Sequence, residues 1–590
     1  MIEFWILEVD MIKIIKQFRF IDWMLVIFIL SLIVTEVWID LKIPDYTMLL
    51  TQSVASGQAT NNDILTNGGW MLLYSLFSLI CTIFCVLLCT RLASTISFRL
   101  REQVYDKVSQ FSNCEMRKFS IASLVTRSTN DITQIQMFFA IGFQILIKAP
   151  IMAIWGICKI SSTSIEWTQS TLICVFLIVV FITILVLICL PKFKKMQILI
   201  DNVNNATREN VSGIRVVHAF NAENYQQEKF EKVNTDLFKT QLFTIKGISL
   251  LMPVITLLMN GLTLAIYWIG AILINNAPVL ERAMILGNMT AFTQYALLII
   301  MSFILLVVVF IMLPRAMVAY KRVQEVLSCK VSIVEGSAPS PERVGTVEFR
   351  NVGLKSDSGN VEILSNISFT IKKGEHVAII GATGSGKTSL IDLIPRFTEA
   401  TSGAVLVDNM NVKDYKLDDL QTRVAVITQK AILFKGSIKD NIAYGEEEQS
   451  IDKERLKQAI DIAEAEFIYD LPDKLETESA QGGTNFSGGQ KQRISIARAI
   501  YKNADIIIFD DSFSALDYKT DLTLRQNIRQ HLPDKTIIII AQRIGTIKNA
   551  DKIIVLDNGK IVGMGSHNEL LKTCPIYNQI ALSQLSKEEL

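Results

Sequence analysis

The pattern of apolar and polar positions changes character near residue 328. Before it lie six long apolar runs, roughly Ile21–Leu41, Trp70–Ser94, Phe138–Ile160, Trp167–Leu190, Ile248–Ile274 and Thr290–Leu313. Each is close to or above the ~20 apolar residues that a helix needs to cross a bilayer. The spacing is uneven. Short polar segments, Ser161–Glu166 and Asn275–Gly287, join runs three to four and five to six, and a somewhat longer loop joins the first two. Long charged stretches of helical pattern, such as Arg99–Lys118 and Lys192–Lys246, separate the others. After the polar, Pro-, Gly- and Ser-containing linker Cys329–Arg343 the period shortens. Val347–Phe349, Val377–Ile380, Val424–Thr428, Ile506–Phe509, Ile537–Ile540 and Ile553–Leu556 read as strands separated by helical patterns. That alternation predicts a buried parallel sheet in an α/β domain. The expected domains are 1–328, carrying six spans and long cytoplasmic extensions, and 344–590, with 329–343 as linker.

Composition supports this division. Half of the 590 residues are hydrophobic and 19% are charged, which is too apolar for a water-soluble protein of this size. The net charge of +1 gives no electrostatic footprint for nucleic acid. Nine dispersed cysteines form no CxxC pair, so a zinc site is not expected, and Cys81, Cys85 and Cys89 recur at helical spacing as small packing residues. Lys and Arg concentrate at the N-terminus and in the long connections (Arg99, Arg101, Lys107, Arg117, Lys118, Arg127, Lys192, Lys194, Lys195). The other connections carry Asp45, Asp63, Glu166 and Glu281, with only Lys42 and Arg282 basic. This bias places the N-terminus, the long connections and the C-terminal half in the cytoplasm. The first run follows Lys13, Lys16 and Arg19 without a small-residue cleavage site and reads as an anchor; Met11 is an alternative start to Met1.

The candidate chemistry lies in the second half. Gly381-Ala382-Thr383-Gly384-Ser385-Gly386-Lys387-Thr388 fits G-x-x-x-x-G-K-[ST], follows a strand and opens a helix at Ser389. Its glycines allow backbone N–H groups to wrap phosphates; Lys387 offsets their charge, and Thr388 is a magnesium ligand. Asp510 ends the run Ile506–Phe509, where a carboxylate at a strand tip suits Mg²⁺. Ser487-Gly488-Gly489-Gln490 precedes the helical run Ile494–Ile500 and offers further backbone donors at a positive helix end.

Together these segments resemble ABC transporters, and the resemblance covers nearly the whole chain. It identifies Gly381–Thr388 as Walker A, Gln429 as the Q-loop glutamine and a magnesium ligand, and Ser487–Gln490 as the signature. Walker B ends at Asp510, and Ser514–Asp517 is the D-loop. The N-terminal half resembles the six-helix, domain-swapped exporter type, with Ser123–Asp131 and Ser212–Phe220 as matching segments and Phe111–Ser123 and a stretch near Asn221–Lys232 as coupling helices. The implied fold is an α-helical six-span transmembrane domain plus an α/β P-loop nucleotide-binding domain, with ATP and Mg²⁺ as cofactors. A second half-transporter, the lipid bilayer and a small hydrophobic or amphipathic substrate are the implied partners.

The chain departs from the family pattern at several positions. Asp511 stands where the catalytic glutamate is expected, and Gln542 where the switch histidine is expected. Gln481 replaces a glutamate before the signature, and Ser356 aligns with the adenine-stacking aromatic. Two losses beside intact Lys387, Thr388 and Asp510 resemble the degenerate subunit of bacterial heterodimeric multidrug exporters. That resemblance implies a weakly hydrolytic site here and a signature that completes the partner's site. A lipid flippase, a homodimer with slow ATPase and a regulatory ATP-binding subunit are the alternatives. Lys148, well inside the third span, is a candidate for the substrate path by its position, or else a structural pair or vestibule residue. Phe138, Phe139, Phe143, Trp155, Phe292, Tyr295 and Phe303 line the cavity or pack between helices.

Overall fold

The computed structural model describes residues 18–57, 60–161, 164–356 and 361–584. The N-terminal residues before Phe18, including the alternative start at Met11, lie outside them. Chain contacts define two compact units. One comprises the described residues up to Val108 together with Ala122–Ser328; the other comprises Ser109–Ile121 with the chain from Cys329 onward.

The first unit is helical. Its elements are α1 (Phe20–Asp40), α2 (Lys42–Ala55), α3 (Asn61–Ser109), then, beyond a short helix α4 (Asn113–Phe119), α5 (Ile121–Ser161), α6 (Ile165–Ser212), α7 (Ile214–Ala219), α8 (Glu223–Ser249), α9 (Leu251–Asn276) and α10 (Val279–Leu327). Among the described residues, six helical stretches are long and apolar enough to cross a membrane. Their length carries further information. At 1.5 Å per residue the 49 residues of α3 reach about 74 Å, against a hydrocarbon core of about 30 Å. The apolar run Trp70–Ser94 is long enough for the bilayer, and the part bearing Arg99, Arg101 and Lys107 continues beyond it.

Two expectations are corrected here. The connection between the first two spans is not an open loop but largely the helix α2, whose Pro44 is accommodated in the first turn, where no intrahelical N–H donor is needed. The second short helix is α7, Ile214–Ala219, rather than a segment at Asn221–Lys232; residues from Glu223 onward belong to the 27-residue α8. The Ser123–Asp131 segment contains a π-turn at Arg127–Asp131, which presents Asp131 to Arg322 (3.3 Å), while Arg127 pairs with Glu325 at 3.0 Å. Cys81, Cys85 and Cys89 are buried along one face of α3. Phe138, Phe139, Phe292 and Tyr295 are buried in helix packing, and Phe143, Trp155 and Phe303 are half-buried.

The second unit holds β1 (Val347–Lys355), β2 (Glu362–Ile371), β3 (His376–Gly381), β4 (Ser402–Val407), β5 (Met410–Asn411), β6 (Val424–Ile427), a small ribbon of β7 (Gly436–Ser437) and β8 (Glu478–Ser479), β9 (Ile506–Asp510), β10 (Thr536–Ile540), β11 (Lys552–Asp557) and β12 (Lys560–Gly565). The six-stranded sheet runs β12-β11-β3-β10-β9-β6, with β11, β3, β10, β9 and β6 parallel, and an antiparallel sheet runs β2-β1-β4-β5. The central strands are buried throughout, as their unbroken isoleucine runs require. Helices α11 (Lys387–Ile391), α12 (Leu417–Arg423), α13 (Lys453–Ile462), α14 (Gly488–Tyr501) and α15 (Tyr518–His531) are among those that complete the unit.

A buried ion pair fixes where the linker enters this unit. Arg423 and Asp408 are 4% and 0% exposed. Asp408 also accepts from the backbone N–H groups of Gly345 (2.7 Å) and Thr346 (2.9 Å), while Arg423 donates to the Pro341 and Glu342 carbonyls. Removing one partner leaves a buried charge uncompensated, at a cost of about 3–5 kcal/mol. Asp408→Ala is expected to destabilise the second unit by about 3–5 kcal/mol, read as a lowered unfolding temperature in calorimetry, with Asp408→Asn, which keeps acceptor capacity, losing less.

Candidate ATP site

The phosphate loop is built at the end of β3. Gly381 closes that strand, and a Cβ there would stand 2.1 Å from the Leu556 carbonyl oxygen, so only glycine allows β3 and β11 to approach this closely. Gly384 (φ 84°) and Gly386 (φ 97°) take left-handed conformations that permit the loop to turn back before α11. Around Gly384 there is open space for a Cβ, so its requirement is conformational. Between these glycines Ser385 N–H donates to the Ala382 carbonyl at 3.1 Å, and Thr383 lies on the turn. Lys387 Nζ donates to the carbonyls of Gly381 (2.9 Å) and Ala382 (2.8 Å), holding its ammonium inside the loop. Burial lowers the pKa of that ammonium, and the charges of Asp511 and Asp510 oppose the shift.

Thr388 Oγ1 lies 3.3 and 3.2 Å from the two carboxylate oxygens of Asp510. Burial pushes the Asp510 carboxyl up; the Thr388 hydroxyl holds it down, and neighbouring Asp511 adds to the rise. A hydroxyl and a carboxylate beside a lysine form a hard-oxygen set of the kind that suits magnesium.

Asp511 is where the site departs most. It has φ 47°, an uncommon backbone conformation for a non-glycine residue, and its N–H donates to the Ile540 carbonyl at 3.0 Å. Its Oδ2 accepts from two amides, Gln429 Nε2 at 3.3 Å and Gln542 Nε2 at 3.1 Å. The structure therefore places Gln429 on Asp511 instead of on Asp510 or Thr388. Burial raises the Asp511 carboxyl, while the Gln429 amide and the charges of Lys387 and Arg543 work against it. Gln542 is itself held from behind, because Gln584 Nε2 donates to its backbone carbonyl at 2.7 Å and Gln584 Oε1 accepts from Ile544 N–H at 2.8 Å. The sequence pattern pairs Asp511 with Gln542 at one site but assigns Gln429 to the metal, and does not show that all three meet through Asp511 Oδ2. It also missed Gln584, for which no local pattern gave a signal.

The signature forms the start of α14. Ser487 caps it, accepting from Gln490 N–H at 3.3 Å, while Gln490 Oε1 accepts from Ser487 N–H at 2.9 Å. A Cβ on Gly488 would meet nothing within 4 Å, and one on Gly489 would meet only the Ala515 carbonyl oxygen at 3.4 Å and Leu516 at 3.9 Å. None of the hydrogen bonds among the described residues joins Ser487–Gln490 to Gly381–Ser389. Asp517 of the D-loop caps α15 through Thr520, and Ser514 Oγ donates to the Asp511 carbonyl. Gln481 lies in a 3₁₀ turn before the signature. Ser356 follows β1, and its N–H donates to Val361 O at 2.8 Å; residues 357–360 are outside the described set.

Helix α4 belongs to this unit. Ser112 caps it, its Glu115 accepts from Ser332 N–H at 3.1 Å, and Asn113 Nδ2 donates to Asp392 Oδ2 at 3.4 Å. Asp392 lies one turn beyond Thr388, to whose carbonyl its N–H donates. Helix α4 is thus linked to the helix that follows the phosphate loop.

A Walker-type loop on a parallel sheet, a carboxylate at the adjacent strand tip and a glycine-led helix together define a P-loop ATPase unit of the ABC type. The comparisons agree over most of the chain. The ABC transporter family matches residues 364–514, and the ABC transporter transmembrane region matches residues 24–303. An uncharacterised ABC transporter ATP-binding protein of Mycobacterium tuberculosis is 36% identical over 542 residues, 91% of each chain. An ATP-dependent lipid A-core flippase of Acinetobacter baylyi is 31% identical over 492 residues, 82% of this chain and 83% of its own. A structure of a bacterial Atm1-family ABC exporter with ATP bound superposes with a TM-score of 0.78 at 21% identity, covering 95% of this chain and 98% of that one. The chain belongs to the ABC transporters. It is a multi-pass membrane protein of the exporter fold, with a transmembrane region fused to a cytoplasmic ATP-binding domain of the transport-ATPase type.

The Asp392 contact gives a pH prediction. Burial first, then the charge of Asp510, raise its carboxyl from 3.8 to about 6, with Arg117 opposing. A raised pKa means that the folded chain holds a proton which the unfolded chain has released. Stability therefore falls as pH rises between 3.8 and about 6. Thermal unfolding of the full chain across this window should lose most of that slope in Asp392→Asn.

Proposed function

We propose that this chain is one half of a heterodimeric exporter that moves hydrophobic or amphipathic compounds, of the multidrug type, out across the cytoplasmic membrane. Its own Walker site binds ATP and magnesium with weak hydrolysis, and its signature completes the hydrolytic site of a second half-transporter. Lys387, Thr388 and Asp510 hold nucleotide and metal, and Gln429 serves as the Q-loop contact. ABC exporters function as dimers, and the open space around Gly488 supports a signature that meets a group from outside this chain.

The observation that carries the weak-hydrolysis assignment is the Asp511 cluster. A general base needs a carboxylate placed on the attacking water. Asp511 is one methylene shorter than glutamate, and its Oδ2 is already engaged by Gln429 and Gln542. A neutral Gln542 can donate a hydrogen bond but cannot supply the positive charge of a protonated histidine. A misplacement of about 1 Å costs on the order of 10²-fold in rate.

Two measurements test this. Asp511→Glu with Gln542→His is expected to raise ATPase activity of the chain's own site by about 10²-fold; an unchanged rate would leave the cluster without a catalytic meaning. Co-purification is expected to bring down a second half-transporter with glutamate after its Walker B aspartate, and a homodimer with full ATPase activity would sink the heterodimer.

A lipid flippase of the same fold is the second possibility. It is favoured by the similarity to the lipid A-core flippase of Acinetobacter baylyi. ATPase stimulation by drug-like amphiphiles against stimulation by lipids separates the two.

A further inference from the structure

Three charged side chains meet inside the membrane unit. Lys148 Nζ of α5 lies 2.7 Å from Glu36 Oε1 and 3.4 Å from Asp40 Oδ2, both on α1 and one helical turn apart. Helix α3 adds two hydroxyls: Thr82 Oγ1 donates to Glu36 Oε1 and Ser78 Oγ to Asp40 Oδ1, each at 2.6 Å. The sequence pointed to Lys148; its partners lie more than a hundred residues earlier.

The charges do not balance. Two carboxylates face one ammonium, so the cluster carries one negative charge too many in a segment where uncompensated charge is costly. The donors are also unevenly placed. Lys148 and Thr82 both donate to Oε1 of Glu36, while Oε2 has no hydrogen-bond partner, although Glu36 is only 1% exposed. The cluster thus has a surplus of acceptors and lacks one cationic donor. The side chains of Asp40 and Lys148 are 20% and 21% exposed, which leaves an approach from that side.

We infer that Glu36 and Asp40, with Lys148 as their resident cation, form a subsite for the primary ammonium group of an amphiphile. The assignment to a transported amphiphile rests on the export function proposed above; the ammonium preference rests on the cluster alone. The ammonium supplies the donor that Glu36 Oε2 lacks and neutralises the excess charge, while the apolar part lies along the surrounding helices. An added amphiphile and an aminophospholipid headgroup both carry this chemistry.

The test uses the full chain, with any co-purifying partner, in phosphatidylcholine nanodiscs. Dansylcadaverine, a fluorescent amphiphilic primary amine, is titrated beside its N-acetyl derivative, which keeps the fluorophore and loses the charge. Wild type is expected to bind the amine at least about tenfold more tightly than the acetylated probe, the size of one charge-assisted contact. Glu36→Gln and Asp40→Asn should each abolish that preference and leave the acetylated probe unchanged. Lys148→Met removes the competing cation and should tighten the amine alone.

Displacement of the amine by phosphatidylethanolamine in the disc assigns the site to a lipid headgroup. Displacement only by added dodecylamine assigns it to a soluble amphiphile. Both support the subsite. Equal affinity for the two probes in wild type overturns it and leaves the export function standing, whereas binding of neither probe overturns both. Thermal unfolding of each variant is read in parallel. If Glu36→Gln does not fold, the more exposed Asp40→Asn decides: an intact preference in that variant overturns the subsite.

Discussion

The parallel register of three strands sets the ATP site. Strand β10 pairs with β3 on one side and β9 on the other, so that Ile540 stands level with both Ile379 and Asp510. The chain leaves all three strands at the same edge. Gly381, Asp511 and Gln542 therefore emerge together although more than a hundred residues separate the first from the others. Side-chain chemistry acts only after this has been fixed: a shift of register by one residue would turn Asp510 to the other face of the sheet and away from Thr388. The isoleucine-rich strands hold the register because both of their faces are buried and each has one favourable fit.

Within that frame, Asp511 and Gln542 depend on each other. An amide opposite a carboxylate satisfies it without adding charge, and Gln429 does the same from the strand on the other side. A histidine at position 542 beside a longer carboxylate would present a titrating cation next to a base. The present arrangement is electrostatically quieter and is pinned through Gln584. The cluster couples the two departures from the family pattern into one physical change.

The membrane unit follows a different constraint. A bilayer offers no water to satisfy backbone groups, so the apolar runs form continuous helices and the polar groups among them must find each other. Most do. Arg99 pairs with buried Asp22, Lys159 with Asp45, and Tyr295 with the Leu41 carbonyl and Asp45. The cluster at Glu36, Asp40 and Lys148 follows the same rule but retains a surplus of acceptors.

Local sequence alone determined a good deal. Six apolar runs and their flanking charges specify spans and orientation, because bilayer thickness and lysine–arginine bias act on short windows. The Gly381–Thr388 loop is legible because its glycines are required by backbone conformation, and the β-branched runs because a buried parallel strand tolerates little else. The helix between the first two spans was less legible, because Pro44 reads as a breaker unless its place in the first turn is known. Ile214–Ala219 was hidden because six residues give too short a period. The contacts that distinguish this chain were decided only by the tertiary structure. Gln429 with Gln542 on Asp511, Asn113 on Asp392, and Lys148 between Glu36 and Asp40 each join residues remote in sequence. Their bonds depend on strand register and helix packing, which fix where side chains meet and leave no trace in the spacing of the residues themselves.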